Sequence, residues 1–171
     1  MNEALREAYA RADATVLHLD TLELRHPQFQ DGVIRLVSYD VDIGIGLEAN
    51  APLNGGETVQ FFANGMDVSM PSISTDPDGE VIAQIDGVSG FLQPYFGNAN
   101  KTQIPIEATV RPIGYDVTKK TALDVLEIRH LQVRHVQIRL ATIVLTMGYT
   151  NSANIEFPAI NYTADSHPGL Y

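Results

Sequence analysis

Residues 19–26 read LDTLELRH and residues 123–130 read LDVLEIRH, so six of the eight positions carry the same amino acid. In both copies apolar residues alternate with polar ones, which indicates a β-strand whose two faces differ. The segments that flank the two copies do not match each other. The pair therefore predicts two strands of similar design and not an internal repeat.

The charged residues of each copy fall on one face of the predicted strand. Glu23 and Arg25 share a face of the first strand, and Glu127 and Arg129 share a face of the second. Opposite charges two residues apart on a solvent-exposed strand face are an ordinary way to keep a sheet soluble. We therefore expect both pairs to lie on solvent-exposed strand faces.

A metal site is the alternative interpretation of the same stretches. Its ligands would come from His18, Asp20 and His26 near the first copy, or from Asp124 and His130 in the second. A His-x-Asp spacing places two side chains on one strand face, but a zinc site needs a third protein ligand from elsewhere. Because nothing in the spacing supplies that ligand, the sequence predicts no metal, no cofactor and no catalytic residue.

Composition excludes several classes of protein. The chain has 171 residues, no cysteine, 21 acidic and 11 basic residues, and a formal net charge of −10. A chain of this length forms one domain, and without cysteine it has neither a disulfide nor a thiolate nucleophile. An acidic protein repels phosphates, so sequence-specific binding of nucleic acid is not expected. No apolar run is long enough to cross a membrane and the N-terminus lacks a signal-peptide core, which predicts synthesis in the cytoplasm.

The single domain, residues 1–171, divides into three parts by pattern. Residues 1–13 predict a short amphipathic helix with Asn2 as its N-cap. Residues 14–152 predict eight or nine short strands, and hence a mainly antiparallel β-sandwich or barrel. Residues 153–171 have no period but are too apolar for a disordered tail, so we expect an extended arm that lies on a protein surface. The candidate interface residues of this arm are Phe157, Ile160, Tyr162, Leu170 and Tyr171.

Alternation and turn chemistry place the strands and one hairpin. Apolar residues alternate from Tyr39 to Leu47, and residues 80–86 and 103–111 are further predicted strands. Asn64-Gly65 stands between ETVQFFA and MDVSMP, and this dipeptide favours the type I′ turn of a hairpin. The sequence therefore predicts that the strands on either side of Asn64-Gly65 pair with each other.

Two segments depart from simple alternation. Ser89 is a possible N-cap of a short helix that would bring Val88, Phe91, Leu92 and Tyr95 together, although Gly90 and Pro94 weaken this prediction. The strand-like segment 122–147 changes its apolar phase near His130 and again near His135. Each change reverses the buried face, so each predicts a bulge or turn.

Short strings that approach chemical signatures are better explained as turns. TDPDGE (75–80) lacks the spacing of a calcium loop, and GVSG (87–90) lacks the second glycine of a nucleophile elbow. PLNGGETV (52–59) lacks the lysine and the helix of a phosphate loop. Asp165, Ser166 and His167 are neighbours in sequence, which is no support for a triad formed through space. We therefore expect that the protein is not an enzyme.

Longer strings carry a resemblance. LHLDTLELRHP, LEANAPLNGGETVQFFANGMDVSMP, IDGVSGFLQPYF and FPAINYTADSHPGLY follow one another over nearly the whole chain. They resemble a family of proteins of long-tailed, siphovirus-type bacteriophages and prophages, whose genes lie in the tail-tip region after the tape-measure gene and near the central hub. The chain departs from that family at His167, where an aromatic residue is usual, and at Gly90 and Pro94, in a stretch that is usually helical.

The resemblance implies a structural protein of the virion, at the distal end of the tail tube next to the central hub, with a tail-tube-like fold. Its expected partners are further copies of the chain, in a trimeric or hexameric ring, and the tube, hub and tape-measure proteins. Negative charge would keep DNA from adhering to the channel, although solubility alone explains the charge equally well. The alternative function is a β-sandwich recognition module for host-surface carbohydrate or protein. Carbohydrate sites favour exposed aromatic side chains, and the absence of tryptophan from the chain counts against this alternative.

Overall fold

A computed structural model of the chain describes residues 15–70, 79–87, 92–99, 102, 104–125, 127–139 and 141–149. The predicted N-terminal helix (1–13) and C-terminal arm (153–171) lie outside these residues, so both stay predictions. The same holds for the five candidate arm residues, Phe157, Ile160, Tyr162, Leu170 and Tyr171.

Ten strands and one short helix make up the described fold. In chain order they are β1 (Val16–Arg25), β2 (Val33–Val37), β3 (Ile43–Gly46), β4 (Thr58–Ala63), β5 (Met66–Ser69), β6 (Val81–Asp86), α1 (Gln93–Ala99), β7 (Glu107–Asp116), β8 (Thr121–Val125), β9 (Arg129–Ile138) and β10 (Thr142–Gly148). The strands form one open sheet in the order β3-β4-β2-β1-β7-β9-β10-β6-β5, with β8 also paired to β7. All its ladders are antiparallel except that between β2 and β4. The predicted mainly β, mostly antiparallel class is confirmed.

β1 and β7 form the middle of the sheet. Each of the ten residues of β1 is paired with a residue of β7. Because successive side chains point to opposite faces, β1 places Leu22 and Leu24 in a large apolar core on one face and Leu19 in a smaller core on the other. Both faces of this pair of strands are therefore covered by other parts of the chain.

The sheet curls without closing into a barrel. β5, at one end of the sheet, comes close to β1 in its middle, but no ladder joins these two strands in the described residues. Burial raises the pKa of Asp20 on β1, and the carboxylate of Asp67 on β5 raises it further. The described part of the chain contains no helix with the length and apolarity to span a membrane.

The hairpin predicted at Asn64-Gly65 is wrong. β4 lies between β3 and β2, whereas β5 pairs with β6, so the strands on either side of the dipeptide belong to opposite ends of the sheet. Neither residue has the positive φ of a type I′ turn. The N–H of Asn64 donates to the carbonyl of Val37, and the carbonyl of Gly65 accepts from the N–H of Asp86. Pairing with distant strands has outweighed the local turn preference.

Of the two phase changes predicted in residues 122–147, the one near His135 is confirmed. At the other, His130 lies in a regular ladder with β7, and the break comes earlier, between Val125 of β8 and Arg129 of β9. The change near His135 is a bulge in β9 at Arg134, because Thr146 of β10 pairs with His135 but the next residue, Met147, pairs with Val133. One extra residue in β9 restores the apolar face on the core side, as the reversal of phase required.

The remaining elements differ from the predictions mainly at their ends. β6 matches the predicted strand 80–86, and β7 begins at Glu107 instead of residue 103 and continues to Asp116. In the alternating stretch before Leu47, only Ile43–Gly46 is strand, and Val41 is 50% exposed in the loop before it.

The short helix begins later than its predicted N-cap, Ser89, which lies outside the described residues. Because α1 begins at Gln93, Pro94 falls in its first turn, where a missing N–H costs no helical hydrogen bond. The helix and the residue before it bury apolar side chains in the larger core: Leu92, Phe96 and Ala99.

Candidate functional site

Three arginine side chains surround the carboxylate of Glu23 on the face of β1 that carries the smaller core. Oε1 of Glu23 accepts a hydrogen bond from Nη1 of Arg25 at 2.6 Å, and Oε2 accepts one from Nε of Arg35 at 3.0 Å. Nη1 of Arg111 lies 3.8 Å from Oε2. Glu23 and Arg111 are fully buried. The register produces this arrangement, because Glu23 stands opposite Arg35 of β2 in one of the two ladders of β1.

Glu48 closes the cluster from the loop after β3. Nε and Nη2 of Arg111 donate to the two carboxylate oxygens of Glu48, at 3.0 and 2.8 Å. Burial raises the pKa of Glu48, but the hydrogen bonds and charge of Arg111 outweigh it, so the pKa lies below its usual value. A bidentate pair of this kind fixes orientation as well as distance. The loop 47–57 is therefore tied to the middle of the sheet.

The loop itself is a compact turn, as PLNGGETV predicted. Asn54 and Gly56 have positive φ angles of 56° and 75°. A Cβ atom on Gly55 would lie 2.5 Å from the carbonyl oxygen of Ala49, so only glycine fits there. Nη2 of Arg35 donates to Oδ1 of Asn54 at 2.9 Å, which gives the loop a second attachment to the cluster.

Threonine hydroxyls bond to two of the buried arginines. Nη1 of Arg25 donates to Oγ1 of Thr109 at 2.8 Å, and Oγ1 of Thr21 donates to the backbone carbonyl of Arg111 at 2.8 Å. Within the described residues, Nε of Arg25 and Nη1 of Arg111 find no hydrogen-bond acceptor. The cluster thus consists of paired charges, most of them buried, that fix strands and a loop, and it presents no nucleophile to solvent.

The prediction that Glu23 and Arg25 lie on a solvent-exposed strand face is wrong, whereas the same prediction for Glu127 and Arg129 is confirmed. Glu23 and Arg25 are buried, because β2 and the loop that carries Glu48 cover their face of β1. Glu127 and Arg129 pair with each other at 2.9 and 3.0 Å on the surface. Nothing within the eight-residue stretches distinguishes the two, since the cover comes from residues elsewhere in the chain.

Among the described residues, the histidines and aspartates considered as metal ligands do not form a set of three. Nδ1 of His26 accepts from the N–H of Gln28, so its Nε2 carries the proton and faces Oγ1 of Thr102 and the carbonyl of Ile104. His26 therefore stabilises the turn after β1. His18 is exposed on β1 and His130 is exposed on β9. In the part of the chain that the structure describes, no three His, Asp or Glu side chains are placed to hold a metal ion.

A groove of about 390 Å³ lies between α1, residues 104–106 and the second half of β9. Two of its isoleucines are half exposed, Ile104 at 51% and Ile138 at 46%. Its lining is mixed. The polar residues are Thr102, Arg134 and His135, and the apolar side chains are Phe96, Ala99, Ile104, Pro105, Ile106, Val133, Val136 and Ile138. Sequence analysis missed this groove, because its walls come from three separate segments of the chain.

One wall of the groove is a strand edge. β9 pairs with β7 only from Arg129 to Gln132, and the last contact on that side is the N–H of Val133 donating to the carbonyl of Ile106. From His135 to Ile138, β9 is paired with β10 on its other side. On the groove side, this stretch has no strand partner among the described residues.

Residues 4–162 match a family model described as a domain of unknown function, DUF1833. The chain belongs to the DUF1833 family. The matched residues include all ten described strands, the buried cluster and the groove. No curated protein matches this DUF1833 chain.

The geometry explains two strings of this DUF1833 protein that stood out in the sequence. LHLDTLELRHP is β1 and the start of its turn, and it supplies Glu23, Arg25 and His26. LEANAPLNGGETVQFFANGMDVSMP begins with the loop that supplies Glu48 and the tightly packed Gly55. The two strings therefore supply Glu23, Arg25 and Glu48 of the buried cluster, while Arg35 and Arg111 come from β2 and β7.

Proposed function

We propose that this DUF1833 protein is a structural component of a bacteriophage tail tip, at the distal end of the tail tube next to the central hub. The groove is the observation that carries the proposal. It places the half-exposed Ile104 and Ile138 beside residues 135–138 of β9, which have no strand partner on the groove side within the described part of the chain, and such an edge is a surface for assembly with another chain. The resemblance of the long strings to tail-tip-region proteins supplies the location in the virion.

The curl of the sheet supports a tail-tube-like sandwich or barrel as the finer architecture. β5 comes close to β1, and β3 comes close to β8. Apolar clusters lie on both faces of the β1–β7 pair, so the sheet wraps around more than one layer of side chains. Neighbouring copies in a trimeric or hexameric ring complete this architecture, with the tube, hub and tape-measure proteins as further partners.

The charge distribution supports a position near DNA in transit. The buried cluster holds three arginines and two glutamates and so carries a net charge of +1. Because the whole chain has a net charge of −10, the remaining residues carry −11. A surface of that sign repels phosphates and leaves a channel free of adhering DNA.

No specific observation favours the alternative, a recognition module for host-surface carbohydrate. Phe29 packs edge-on against Tyr95 and Phe96, at ring-centroid distances of 5.8 and 6.4 Å. Phe29 and Phe96 are buried in the larger core. These rings therefore support the fold and do not offer a stacking platform for a sugar.

The test is the location of the protein in the phage or prophage that encodes it. We expect mass spectrometry to detect it in purified virions and immunogold electron microscopy to label the tip of the tail. Deletion of the gene should give particles with defective tails, and the intact gene supplied in trans should restore them. Virions that lack the protein, together with normal plaque formation by the deletion, would overturn the proposal.

A further inference from the structure

We propose that Arg25 binds the carboxylate of a small organic acid at the edge of the buried cluster, in the place of the carboxylate of Glu107. Arg25 and Glu107 both line two neighbouring cavities, so the site lies where these cavities approach each other. This inference goes beyond the proposed function and does not depend on it.

Arg25 and Arg111 use the same edge of the guanidinium group differently. In Arg111, Nε and Nη2 donate to the two carboxylate oxygens of Glu48, at 3.0 and 2.8 Å. In Arg25, Nη2 reaches Oε2 of Glu107 only at 3.4 Å, and Nε finds no acceptor within the described residues. This edge of an arginine matches the two oxygens of a carboxylate. Arg25 therefore keeps the donors of a bidentate pair that Glu107 does not complete.

The opposite side of the Arg25 guanidinium group is held in place by the protein. Its Nη1 donates to Oε1 of Glu23 at 2.6 Å and to Oγ1 of Thr109 at 2.8 Å. The side chain of Arg25 is only 9% exposed. A side chain that is already fixed loses little conformational freedom when a ligand binds, so the free edge is preorganised.

The balance of charge leaves room for one more anion. The three arginines of the cluster are paired with two carboxylates, those of Glu23 and Glu48. Glu107 supplies the next negative charge from a side chain that is 56% exposed, at 3.4 Å, where solvent weakens the pairing. A carboxylate seated on both donors of Arg25 therefore gains an interaction that Glu107 does not make.

The strand register places the site between the cavities. Arg25 of β1, Glu107 of β7 and Gln132 of β9 stand opposite one another in successive ladders, so their side chains lie on one face of the sheet. The smaller cavity, of about 230 Å³, lies on the side of Gln132. The larger one, of about 400 Å³, lies on the side of the turn after β1.

The walls of both cavities favour a ligand with an apolar body. Pro52 and Leu131 line the smaller cavity. The apolar residues that line the larger cavity are Pro27, Ile104 and Pro105. An organic acid therefore places its carboxylate on Arg25 and its apolar part against proline rings and aliphatic side chains.

Benzoate tests the site on the full-length protein, because it joins a carboxylate to an apolar ring. The Nε–H resonance of Arg25 in nuclear magnetic resonance spectra reports on the proposed contact itself. We expect benzoate to shift this resonance downfield in a saturable way, whereas benzamide, which has the same ring without the charge, leaves it in place. The ionic strength is held constant, because salt screens charge.

Glu107→Gln removes the competing carboxylate and should tighten the binding of benzoate by about tenfold, since like charges side by side oppose binding. Glu127→Gln is the matched control, because it removes the same charge at a residue that lines neither cavity. Its affinity should change by less than about twofold, since exposed charges are screened by salt. The two side chains are 56% and 54% exposed, so neither change disturbs the core.

Two results of the titration would overturn the proposal. The absence of a saturable shift in Glu107→Gln would exclude Arg25 as a carboxylate site. A gain in affinity as large in Glu127→Gln as in Glu107→Gln would show that benzoate responds to the net charge of the protein and not to this site.

The ligand-free protein provides an independent check. Because Nε of Arg25 makes no hydrogen bond to Glu107, the Nε–H resonance should keep its position in Glu107→Gln. An upfield shift in that variant would show that Glu107 itself completes the bidentate pair, and the proposal would then be wrong.

Discussion

Glu23 and Arg25 form an ion pair of 2.6 Å in the interior, whereas Glu127 and Arg129 form theirs, at 2.9 Å, on the surface. The two pairs have the same spacing in nearly the same eight-residue sequence. Their difference lies in what covers them, which makes them a matched comparison of a buried and an exposed ion pair within one protein.

Glu23→Gln should lower the free energy of unfolding by about 3–5 kcal/mol, because it leaves buried guanidinium groups without their shared anion. Glu127→Gln is the matched control, and its loss should stay below about 1 kcal/mol, as for other exposed pairs. Urea denaturation followed by circular dichroism measures both. Equal losses in the two variants would contradict the buried position of Glu23.

The stability contributed by Glu48 should depend on pH. Its folded pKa lies below the usual 4.5, so its contribution is fully present above about pH 4.5 and is lost as the pH falls through the folded value. Glu48→Gln should therefore be less stable than the natural protein at pH 7 and should lose less stability between pH 4.5 and 3. Denaturation midpoints across this range test the expectation, and parallel pH profiles would refute it.

Gly55→Ala should destabilise the fold by about 2 kcal/mol, in the range of substitutions that force backbone to move. The added methyl group would meet the carbonyl oxygen of Ala49, which cannot move without the loop. Gly46→Ala is the control, because a Cβ there meets no atom within 4 Å. Thermal unfolding compares the two, and a loss in Gly46→Ala as large as in Gly55→Ala would contradict the close approach.

Asp20→Asn should stabilise the protein at neutral pH. The folded pKa of Asp20 is raised by burial and by Asp67, so its ionised form opposes folding once the pH rises above 3.8 and through the folded value. The gain at pH 7 should stay below about 1 kcal/mol, since solvent screens this half-exposed group, and it should vanish near pH 3.

Asp67→Asn should raise the free energy of unfolding by less than Asp20→Asn does. The double variant should gain less stability than the sum of the two single variants, because each single substitution already removes the repulsion between Asp20 and Asp67. Additive gains would mean that β5 and β1 are not neighbours in solution.

The sequence predicted the class of fold and the irregularity of β9, because both depend on patterns within a few residues. The change of apolar phase near His135 became a bulge at Arg134, as the alternation of faces demands. The hairpin at Asn64-Gly65 failed for the opposite reason. The partner of each flanking strand lies elsewhere in the chain, and no local pattern reveals it.

In the candidate sites too, local patterns were visible in the sequence, whereas contacts between distant segments were not. Glu23 and Arg25 were visible as a charged pair, but their burial depends on Arg35, Glu48 and Arg111, which come from three other segments. The groove beside β9 was invisible, since α1, residues 104–106 and β9 meet only in the folded chain.

The ladder between β1 and β7 also governs how the chain can fold. It joins residues that are 82 to 100 positions apart, so its formation needs a long-range search and makes folding slow. On a ribosome that adds about 5–20 residues per second, β1 waits several seconds for its partner strand. During that time its apolar face is open to chaperones and to other nascent chains. Production of the protein should therefore respond to translation speed and chaperone supply more than to the strength of any single contact.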